Sequence, residues 1–410
     1  MTAHTLYVIV LLILTISFIV DKVINALNAR HFNDSIPEEL NDVYDAEEYH
    51  RSQTYKITNY RFGLVSSTFS FVLTLGFIVL GGFEFVDSIA RSISNHEILT
   101  GLLFFGIILI GSDLLTTPFS YYRTFSIEER YGFNKTSKKT FWTDKIKGWL
   151  MIIILGGLIL STVIGLYHFT GKYFWIYAWV FISLFTIVMN MYYSKLIVPI
   201  FNKQIPLEEG SLREKISTYA NTVGFTLDKI FVIDGSKRST KANAYFSGFG
   251  KEKRVTLYDT LINDLEEEEI VAVLAHEVGH YKKKHIIYNL IGSILTTGIT
   301  LYLLSLFVSE PILSEALGVK NHSFHIGLIT FGILYSPLSE ITGLFMNWCS
   351  RTFEYQADNY ARNTYKSEPL INSLKKLSKS SLSNLTPHKA YVFMHYSHPT
   401  LLQRVQNLKR

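Results

Sequence analysis

Seven apolar stretches recur along the chain, and each is long enough to cross a lipid bilayer. About 20 apolar residues in an α-helix span the ~30 Å hydrocarbon core. The stretches cover residues 6–25, 64–85, 99–121, 149–169, 173–193, 286–308 and 324–348. The first has no positively charged segment before it and no small-residue cleavage site ahead of Asp21, so we interpret it as a retained span and not as a signal peptide. The sequence therefore predicts a mainly α-helical, multi-pass membrane protein with seven spans.

The charged residues of the loops predict how the chain is oriented in the membrane. The loop after the third apolar stretch is rich in cations, namely Arg123, Arg130, Lys135, Lys138, Lys139, Lys145 and Lys147. The connections on the opposite side carry only Arg91, Lys172 and Lys320. Because cationic loops are retained in the cytosol, we expect the segment between the fifth and sixth stretches to be cytosolic and the N-terminus to lie outside.

The most specific chemical signal is the sequence His276-Glu277-Val278-Gly279-His280, an H-E-x-x-H motif. In an α-helix, residues four positions apart lie on one face, so the two histidines can bind one zinc ion. Glu277 is turned by about 100° from His276 and can act as a general base toward a water molecule that the metal activates. Glutamates at 266–269 predict the N-terminal turn of this helix. The motif is typical of zinc peptidases.

Two histidines leave a catalytic zinc site one protein ligand short. The best candidate for the third is Glu354, which follows the seventh apolar stretch and lies four residues before Asp358. At that spacing both carboxylates share one helical face, so Glu354 can bind the metal while Asp358 accepts a hydrogen bond from a ligand histidine. The alternative is an exposed acidic helix face. We favour the ligand interpretation because the sixth and seventh stretches form a hairpin that returns Glu354 to the side of the membrane that holds His280.

A small β-sheet is predicted just before the motif helix. Strands are indicated at residues 229–233, 243–249 and 254–258, with a hairpin turn at 250–253. The edge of such a sheet can hold an extended peptide through main-chain hydrogen bonds. Alternatively, the sheet only covers the motif helix, and the two interpretations are compatible.

Two ionisable residues inside the apolar stretches need an explanation, because charge in the bilayer core is costly. Asp113 lies in the third stretch, and Glu340 lies in the seventh, close to a Ser-Pro pair. Such residues can form hydrogen bonds between helices or line a water-filled cavity. We favour the cavity wall because the feature occurs twice.

Three further polar residues lie near the motifs in the sequence or in the predicted fold. His285, nine positions after His276, is interpreted as a residue that flanks the sixth stretch and not as a metal ligand. His398 and Arg404 lie in the C-terminal segment, where a turn at 397–399 precedes a helix at 401–408. A histidine and an arginine near a zinc site could hold the carbonyl oxyanion or a substrate carboxylate.

These features divide the chain into five parts. Residues 1–61 hold the first span and a polar cytosolic loop, and residues 62–195 hold spans two to five. A zinc peptidase domain with the edge strand and the motif helix covers residues 196–285. Spans six and seven cover residues 286–348, and residues 349–410 return to the peptidase domain with the third zinc ligand.

Taken together, the motifs resemble those of the membrane zinc metallopeptidases of the CAAX prenyl protease type 1 family. The resemblance covers nearly the whole chain, and several long motifs in one order are far more specific than H-E-x-x-H alone. The motifs are RTFSIEERYGFNK at 123–135, VIDGSKRS at 232–239, NAYF at 243–246, LYDTL at 257–261, LAHEVGHYKKK at 274–284, EYQAD at 354–358 and SHPT at 397–400, followed by Arg404.

The resemblance implies roles for individual residues. Three residues would bind one zinc ion per chain, namely His276, His280 and Glu354. Glu277 would be the general base, and Asp358 would support the site as a second catalytic residue and candidate proton donor. The substrate-binding residues that the resemblance implies are Asn243 on the edge strand, with His398 and Arg404 along the substrate path.

The resemblance also implies a fold and a location. The family fold is a seven-transmembrane helical barrel that encloses a large water-filled chamber. A gluzincin-like zinc peptidase domain with a small β-sheet closes the chamber on the cytosolic side. Eukaryotic members remove the last three residues from a prenylated C-terminal C-a-a-X sequence. The expected location is the inner membrane of a bacterium, or the endoplasmic reticulum membrane if the protein is eukaryotic.

Other functions remain as alternatives at this stage. A bacterial-type relative would cleave unmodified membrane peptides or stalled peptides, and a zinc hydrolase could act on a lipid or another non-peptide bond. A non-catalytic scaffold or transporter would not need the complete set of ligands and base. The partners that we expect are a peptide or protein substrate and the lipid bilayer. No array of basic and aromatic residues indicates nucleic-acid binding, since the formal net charge of +5 is spread over the loops.

Overall fold

The computed structural model describes residues 2–225, 229–248 and 253–410, and within them the chain is largely helical with one four-stranded sheet. The α-helices are α1 (Ala3–Ala29), α2 (Ala46–Val79), α3 (Gly82–Ile93), α4 (Glu97–Tyr122), α5 (Lys138–Met151), α6 (Gly157–Thr170), α7 (Phe174–Leu196), α8 (Val198–Phe201), α9 (Ser211–Thr222), α10 (Asp259–Asp264), α11 (Glu267–Lys282), α12 (His285–Phe307), α13 (Ile312–Glu315), α14 (Phe324–Thr364), α15 (Ser367–Ser380), α16 (Lys389–His395) and α17 (Leu401–Lys409). The strands are β1 (Gln204–Pro206), β2 (Ile230–Ile233), β3 (Ala244–Ser247) and β4 (Arg254–Tyr258).

Six continuous helical stretches in the described residues are long and apolar enough to cross a membrane. They are Ala3–Ala29, Ala46–Val79, Glu97–Glu128, Lys138–Phe201, His285–Phe307 and Phe324–Thr364. The sequence predicts seven spans. The difference arises because the 64-residue stretch Lys138–Phe201 covers two of the predicted apolar stretches, 149–169 and 173–193. A 3₁₀ turn at Gly171–Tyr173 interrupts that stretch, and Gly171 has a φ of 53°, where glycine is favoured. The structure therefore supports a multi-pass membrane protein, and the seven-span count stays a prediction.

Helices α2 and α14 each combine an apolar stretch with a polar segment. A capping box formed by Asp45 and Glu48 starts α2, which then runs without a break into the second apolar stretch. Helix α2 ends at Val79, whereas the second apolar stretch continues to residue 85. The helix stops there because Gly81 adopts a left-handed conformation with a φ of 72°. At the other end of the chain, α14 extends for 41 residues and tolerates Pro337 within it. The seventh apolar stretch and the polar segment that follows it are therefore one helix.

The small sheet has the strand order β1-β2-β4-β3. Strands β2 and β4 are parallel, and β3 pairs with β4 in antiparallel fashion at one edge. The three predicted strands correspond to β2, β3 and β4, whereas β1 was not predicted because three residues ending in Pro206 carry no periodic signal. Residues 249–252, which hold most of the predicted hairpin turn, lie outside the described residues. The edge position of β3 leaves one side of it free of strand partners.

The motif helix α11 lies in the core of the polar domain. Ile270, Leu274 and Val278 are almost completely buried on it, and burial of such side chains stabilises the fold by about 1.5–3 kcal/mol each. The same core includes Leu40 and Phe133, which come from the loops after the first and third apolar stretches. Segments distant in sequence therefore pack against the helix that carries the candidate zinc ligands, across the predicted domain boundaries.

Gly279 lets α11 and α14 approach closely. A Cβ atom at this position would lie 3.1 Å from the Cα and carbonyl oxygen of Ala357 and from Cβ of Tyr360. Ala357 is itself completely buried. The small residue inside the H-E-x-x-H motif therefore brings the two helices together at the level of the candidate ligands.

Asp113 forms an interhelical contact. A hydrogen bond between helices was the alternative to the cavity-wall interpretation that we favoured. Its carboxylate accepts hydrogen bonds from Lys145 Nζ at 2.7 and 2.8 Å and from Trp149 Nε1 at 2.8 Å. Both partners lie on α5, which brings Lys145 into reach of α4. Glu340 is exposed on α14 and forms no hydrogen bond or ion pair with another described residue. The structure therefore shows the interhelical contact for Asp113, and the cavity-wall interpretation stays a prediction for both residues.

Gly279→Val should force α11 away from α14, because the backbone atoms of Ala357 cannot rotate aside. We expect a loss of about 1–3 kcal/mol of stability, measured as a lower thermal midpoint of the purified protein in detergent. Gly148→Val is the matched control, since a Cβ atom there would meet no other atom within 4 Å. Equal midpoints for the two variants would contradict the proposed role of the helix contact.

Candidate active site

The three candidate metal ligands predicted from the sequence come together between α11 and α14. His276 and His280 lie one turn apart on α11, and Glu354 lies on α14. The two Nε2 atoms of the histidines are 3.1 Å apart. Oxygens of the Glu354 carboxylate lie 3.4 Å from His276 Nε2 and 3.2 Å from His280 Nε2. The three side chains can therefore present one ligand atom each to a single point.

This arrangement fits a zinc ion. Zn–N bonds are about 2.0–2.1 Å long, so neighbouring ligand atoms of a tetrahedral site are about 3.3 Å apart, close to the separations seen here. Oxygen Oε2 of Glu354 is buried and has no hydrogen-bond partner among the described residues, although Arg404 Nη1 lies 3.5 Å away. Leaving a buried carboxylate oxygen without a partner is costly, and a cation would remove that cost.

Asp358 and Arg404 hold His276 in place. His276 Nδ1 lies 2.9 Å from Oδ1 of Asp358, one turn beyond Glu354 on α14. Arg404, on α17, donates to the same carboxylate from Nε at 3.0 Å and from Nη2 at 2.5 Å. Because Nδ1 of His276 donates its proton to Asp358, Nε2 keeps its lone pair for a metal. Arg404, which was predicted to line the substrate path, is 12% exposed, lines the cavity at these ligands and also orients Asp358.

The surrounding charges favour a cation at His276. Burial and the nearby Arg404 guanidinium lower the pKa of His276, but the hydrogen bond to Asp358 and the adjacent Glu354 carboxylate outweigh both and raise the pKa to about 9. The additional proton of the imidazolium resides on Nε2, which faces His280 and Glu354. A proton and a metal ion therefore compete for the same nitrogen.

His280 has a support of its own, which the sequence interpretation missed. Nδ1 of His285 lies 3.0 Å from Nδ1 of His280, and Nε2 of His285 lies 3.0 Å from the amide oxygen of Gln356. With that oxygen as acceptor, Nε2 of His285 carries the proton and Nδ1 accepts the proton of His280. Nε2 of His280 is then left unprotonated, as a metal ligand requires.

His285 does begin α12, but the interpretation that it points away from the motif was wrong because it assumed one continuous helix. Helix α11 ends at Lys282, and Lys284 adopts a left-handed conformation with a φ of 61° before α12 begins. This break turns His285 back toward the motif, where it is 2% exposed and stacks on Phe353 at 4.3 Å between ring centroids. The signal available in the sequence was a histidine five residues after H-E-x-x-H, beside a run of lysines.

A cavity of about 410 Å³ opens onto the candidate ligands. Glu277 lines this cavity, is partly exposed and forms no hydrogen bond with another described residue, so its carboxylate is free to accept a proton. His398 also faces the cavity, is 63% exposed and places Nε2 at 3.3 Å from Oε1 of Glu354. The cavity therefore contains a carboxylate and an imidazole next to the ligand atoms.

The edge strand β3 forms another wall of this cavity. Asn243, Tyr245 and Phe246 contribute to the lining. The Asn243 side chain is exposed, and its Oδ1 accepts a hydrogen bond from the backbone N–H of Ala244 at 2.9 Å. The structure thus brings the predicted substrate-binding strand and the candidate ligands to one space.

Replacing His285 should weaken zinc binding without removing a ligand. His285→Ala leaves Nδ1 of His280 without its acceptor, and we expect a loss of about 10- to 100-fold in zinc affinity, measured by competition with a chelator. His285→Asn should restore most of the affinity, because Oδ1 of asparagine can replace Nδ1 as acceptor. If the alanine and asparagine variants bound zinc equally well, the orienting role would be excluded.

Zinc affinity should also depend on pH. Because the metal requires the unprotonated Nε2 of His276, whose pKa is raised to about 9, affinity should rise about tenfold per pH unit above pH 7 and level off near that pKa. Asp358→Asn removes one of the carboxylates that raise the pKa, so its affinity should level off at a lower pH. The measurement is chelator competition across the pH range, and a flat wild-type profile would contradict the expectation.

Comparisons with known proteins agree with this geometry. Residues 25–203 match the family model of the CAAX prenyl protease N-terminal segment, described as five membrane helices, and residues 206–410 match that of peptidase family M48. The chain is 36% identical to "CAAX prenyl protease 1 homolog" of Oryza sativa subsp. japonica, covering 92% of this chain and 90% of that protein. It is 35% identical to "CAAX prenyl protease 1" of Saccharomyces cerevisiae, covering 91% of this chain and 88% of the relative.

A solved structure shows the same overall fold. The crystal structure of S. mikatae Ste24p matches with a TM-score of 0.94 and 32% sequence identity, and the match covers 99% of each chain. Both family models together span nearly the whole chain, and the matched relatives are covered over most of their own length. The resemblance seen in the sequence motifs is therefore confirmed. The chain belongs to peptidase family M48 and is a membrane metalloprotease of the CAAX prenyl protease type.

Proposed function

We propose that this protein is a zinc-dependent endopeptidase that removes the last three residues from proteins carrying a prenylated C-terminal C-a-a-X sequence. The observation that carries the proposal is the meeting of three ligand atoms, separated by 3.1–3.4 Å, with a free carboxylate in the same cavity. The names of the relatives support the substrate class. Family M48 is zinc-dependent in general, which supports the choice of metal.

His276, His280 and Glu354 would hold the zinc ion. When bound, zinc polarises the scissile carbonyl and lowers the pKa of a water molecule. Asp358 and the His285–Gln356 pair keep the two imidazoles in the tautomer that binds a metal, and Arg404 fixes Asp358.

Glu277 would act as the general base. Its carboxylate takes a proton from the attacking water and then delivers a proton to the amine nitrogen of the leaving tripeptide, so the carboxylate is regenerated. His398, which is exposed to the cavity, would donate a hydrogen bond to the oxyanion that forms at the carbonyl. Asp358 is a less suitable proton donor than the resemblance implies, because both of its oxygens already accept hydrogen bonds from His276 and Arg404.

The edge strand β3 would hold the substrate in an extended conformation. Its free edge can pair with the substrate backbone, and the amide of Asn243 at its start can donate a further hydrogen bond. Such binding recognises the substrate backbone and not its side chains. It therefore suits a C-a-a-X sequence, whose two aliphatic positions vary.

We further propose that Lys138–Phe201 crosses the bilayer twice, so that seven spans surround a chamber and the zinc domain lies on the cytosolic side. Its length supports this, because 64 residues exceed the roughly 20 that one crossing needs. The cationic loop at 122–148 supports the cytosolic orientation. The relatives from plants and yeast favour the endoplasmic reticulum for a eukaryotic source, and the bacterial inner membrane is the other candidate.

The test is peptide cleavage by the purified full-length protein in detergent. Two peptides ending in C-a-a-X are compared, one farnesylated and one not, and we expect release of the tripeptide from the farnesylated one alone. Glu277→Gln should lower the rate by about 100- to 10,000-fold while zinc content stays unchanged. The control Glu368→Gln removes an exposed carboxylate that does not line the cavity and should cleave normally.

Two outcomes would contradict the proposal. Equal cleavage of both peptides would indicate a general peptidase that acts on unmodified chains. Full activity of Glu277→Gln would exclude this residue as the base, whichever peptide is cut.

A further inference from the structure

A strongly basic groove lies at the edge of the sheet opposite the catalytic cavity. It has a volume of about 670 Å³, and Gln204 of β1 forms part of its wall. Its cationic lining residues are Lys147, Lys195, Lys203, Lys237 and Arg254. Asp234 is the only carboxylate among the described residues that line it. We call this feature the basic groove.

Three lysines supply the available positive charge of the basic groove, namely Lys195, Lys203 and Lys237. Oδ1 of Asp234 accepts hydrogen bonds from Asn202 Nδ2 and from the backbone N–H of Lys203, both at 2.8 Å. Lys195, Lys203 and Lys237 are exposed, and none of them forms an ion pair with a described residue. The groove therefore offers several ammonium groups to an anionic ligand.

The basic groove is located where the helices leave the bilayer. Lys147 precedes the apolar stretch 149–169 by two residues, and Lys195 follows the stretch 173–193 by two residues. Leu196 is 54% exposed and Ile200 is 38% exposed beside these lysines. Apolar side chains next to cations at the end of a span are the pattern expected at the level of lipid headgroups.

We propose that the basic groove binds the headgroup of an anionic phospholipid. The lysines would contact its phosphate and carboxylate oxygens, and the exposed apolar residues Leu196 and Ile200 would contact its acyl chains. Clusters of cations at the cytosolic end of membrane helices attract anionic lipids, and each cation contributes about fivefold to affinity. An acidic peptide would match the charge but would leave these apolar residues without a partner, so the lipid is the better fit.

The test is native mass spectrometry of the delipidated full-length protein, titrated with phosphatidylserine or phosphatidylcholine. We expect the wild type to bind phosphatidylserine more tightly. The triple variant Lys195→Gln, Lys203→Gln, Lys237→Gln should lose about 100-fold in phosphatidylserine affinity and keep its phosphatidylcholine affinity. The single variant Lys203→Gln should lose about fivefold, which provides a second measurement should the triple variant fail to fold.

The matched control is Lys139→Gln, Lys389→Gln, Lys409→Gln, which removes the same charge from exposed positions outside the groove. This variant should bind phosphatidylserine like the wild type. An equal loss in the control would overturn the proposal, because attraction would then depend on net charge alone. Tighter binding of soluble glycerophosphate or of an acidic peptide than of the lipid would overturn it as well. Peptide cleavage in detergent should be unchanged in the triple variant, since none of its lysines lines the catalytic cavity.

Discussion

The contact between α11 and α14 is the interaction on which the rest of the site depends. Gly279 lets the backbone of Ala357 approach the motif helix. As a result, the Nε2 atoms of the two histidines lie 3.2–3.4 Å from the Glu354 carboxylate oxygens. A gap wider by the size of one methyl group would leave the ligand atoms too far apart for a small ion. Because α14 continues unbroken from the seventh apolar stretch, the carboxylates are also positioned by a helix anchored in the bilayer.

The buried charges of the site are balanced in all but one place. Both oxygens of Asp358 accept hydrogen bonds, from His276 on one side and from Arg404 on the other. Oε2 of Glu354 is the buried oxygen without a donor among the described residues. A buried carboxylate oxygen without a partner destabilises a protein, and this oxygen lies at the point where a cation fits between three ligand atoms. The fold therefore prepares the site for a metal before any substrate is present.

The sequence predicted the features that depend on local geometry and missed those that depend on a change of chain direction. The helical spacing of the H-E-x-x-H motif and of Glu354 is set within single helices, so residue spacing alone placed these ligands on shared faces. The role of His285 depends on the left-handed residue Lys284, and nothing in the periodicity indicates where a helix restarts. The partner of Asp113 was missed because Lys145 lies in a segment that was interpreted as a loop and is helical in the structure. The edge strand was recognised, whereas β1 was too short to give a pattern.

The sheet connects the two surfaces to which we assign function. Strand β3 forms a wall of the catalytic cavity, and β1, at the opposite edge, borders the basic groove. With strands about 4.8 Å apart, the two edge strands of this four-stranded sheet are separated by about 14 Å. A lipid headgroup held at β1 would therefore fix the height of β3 above the membrane surface. A peptide whose prenyl group stays in the bilayer emerges close to that surface, so the cations of the basic groove would also place the peptide-binding edge within reach of its substrate.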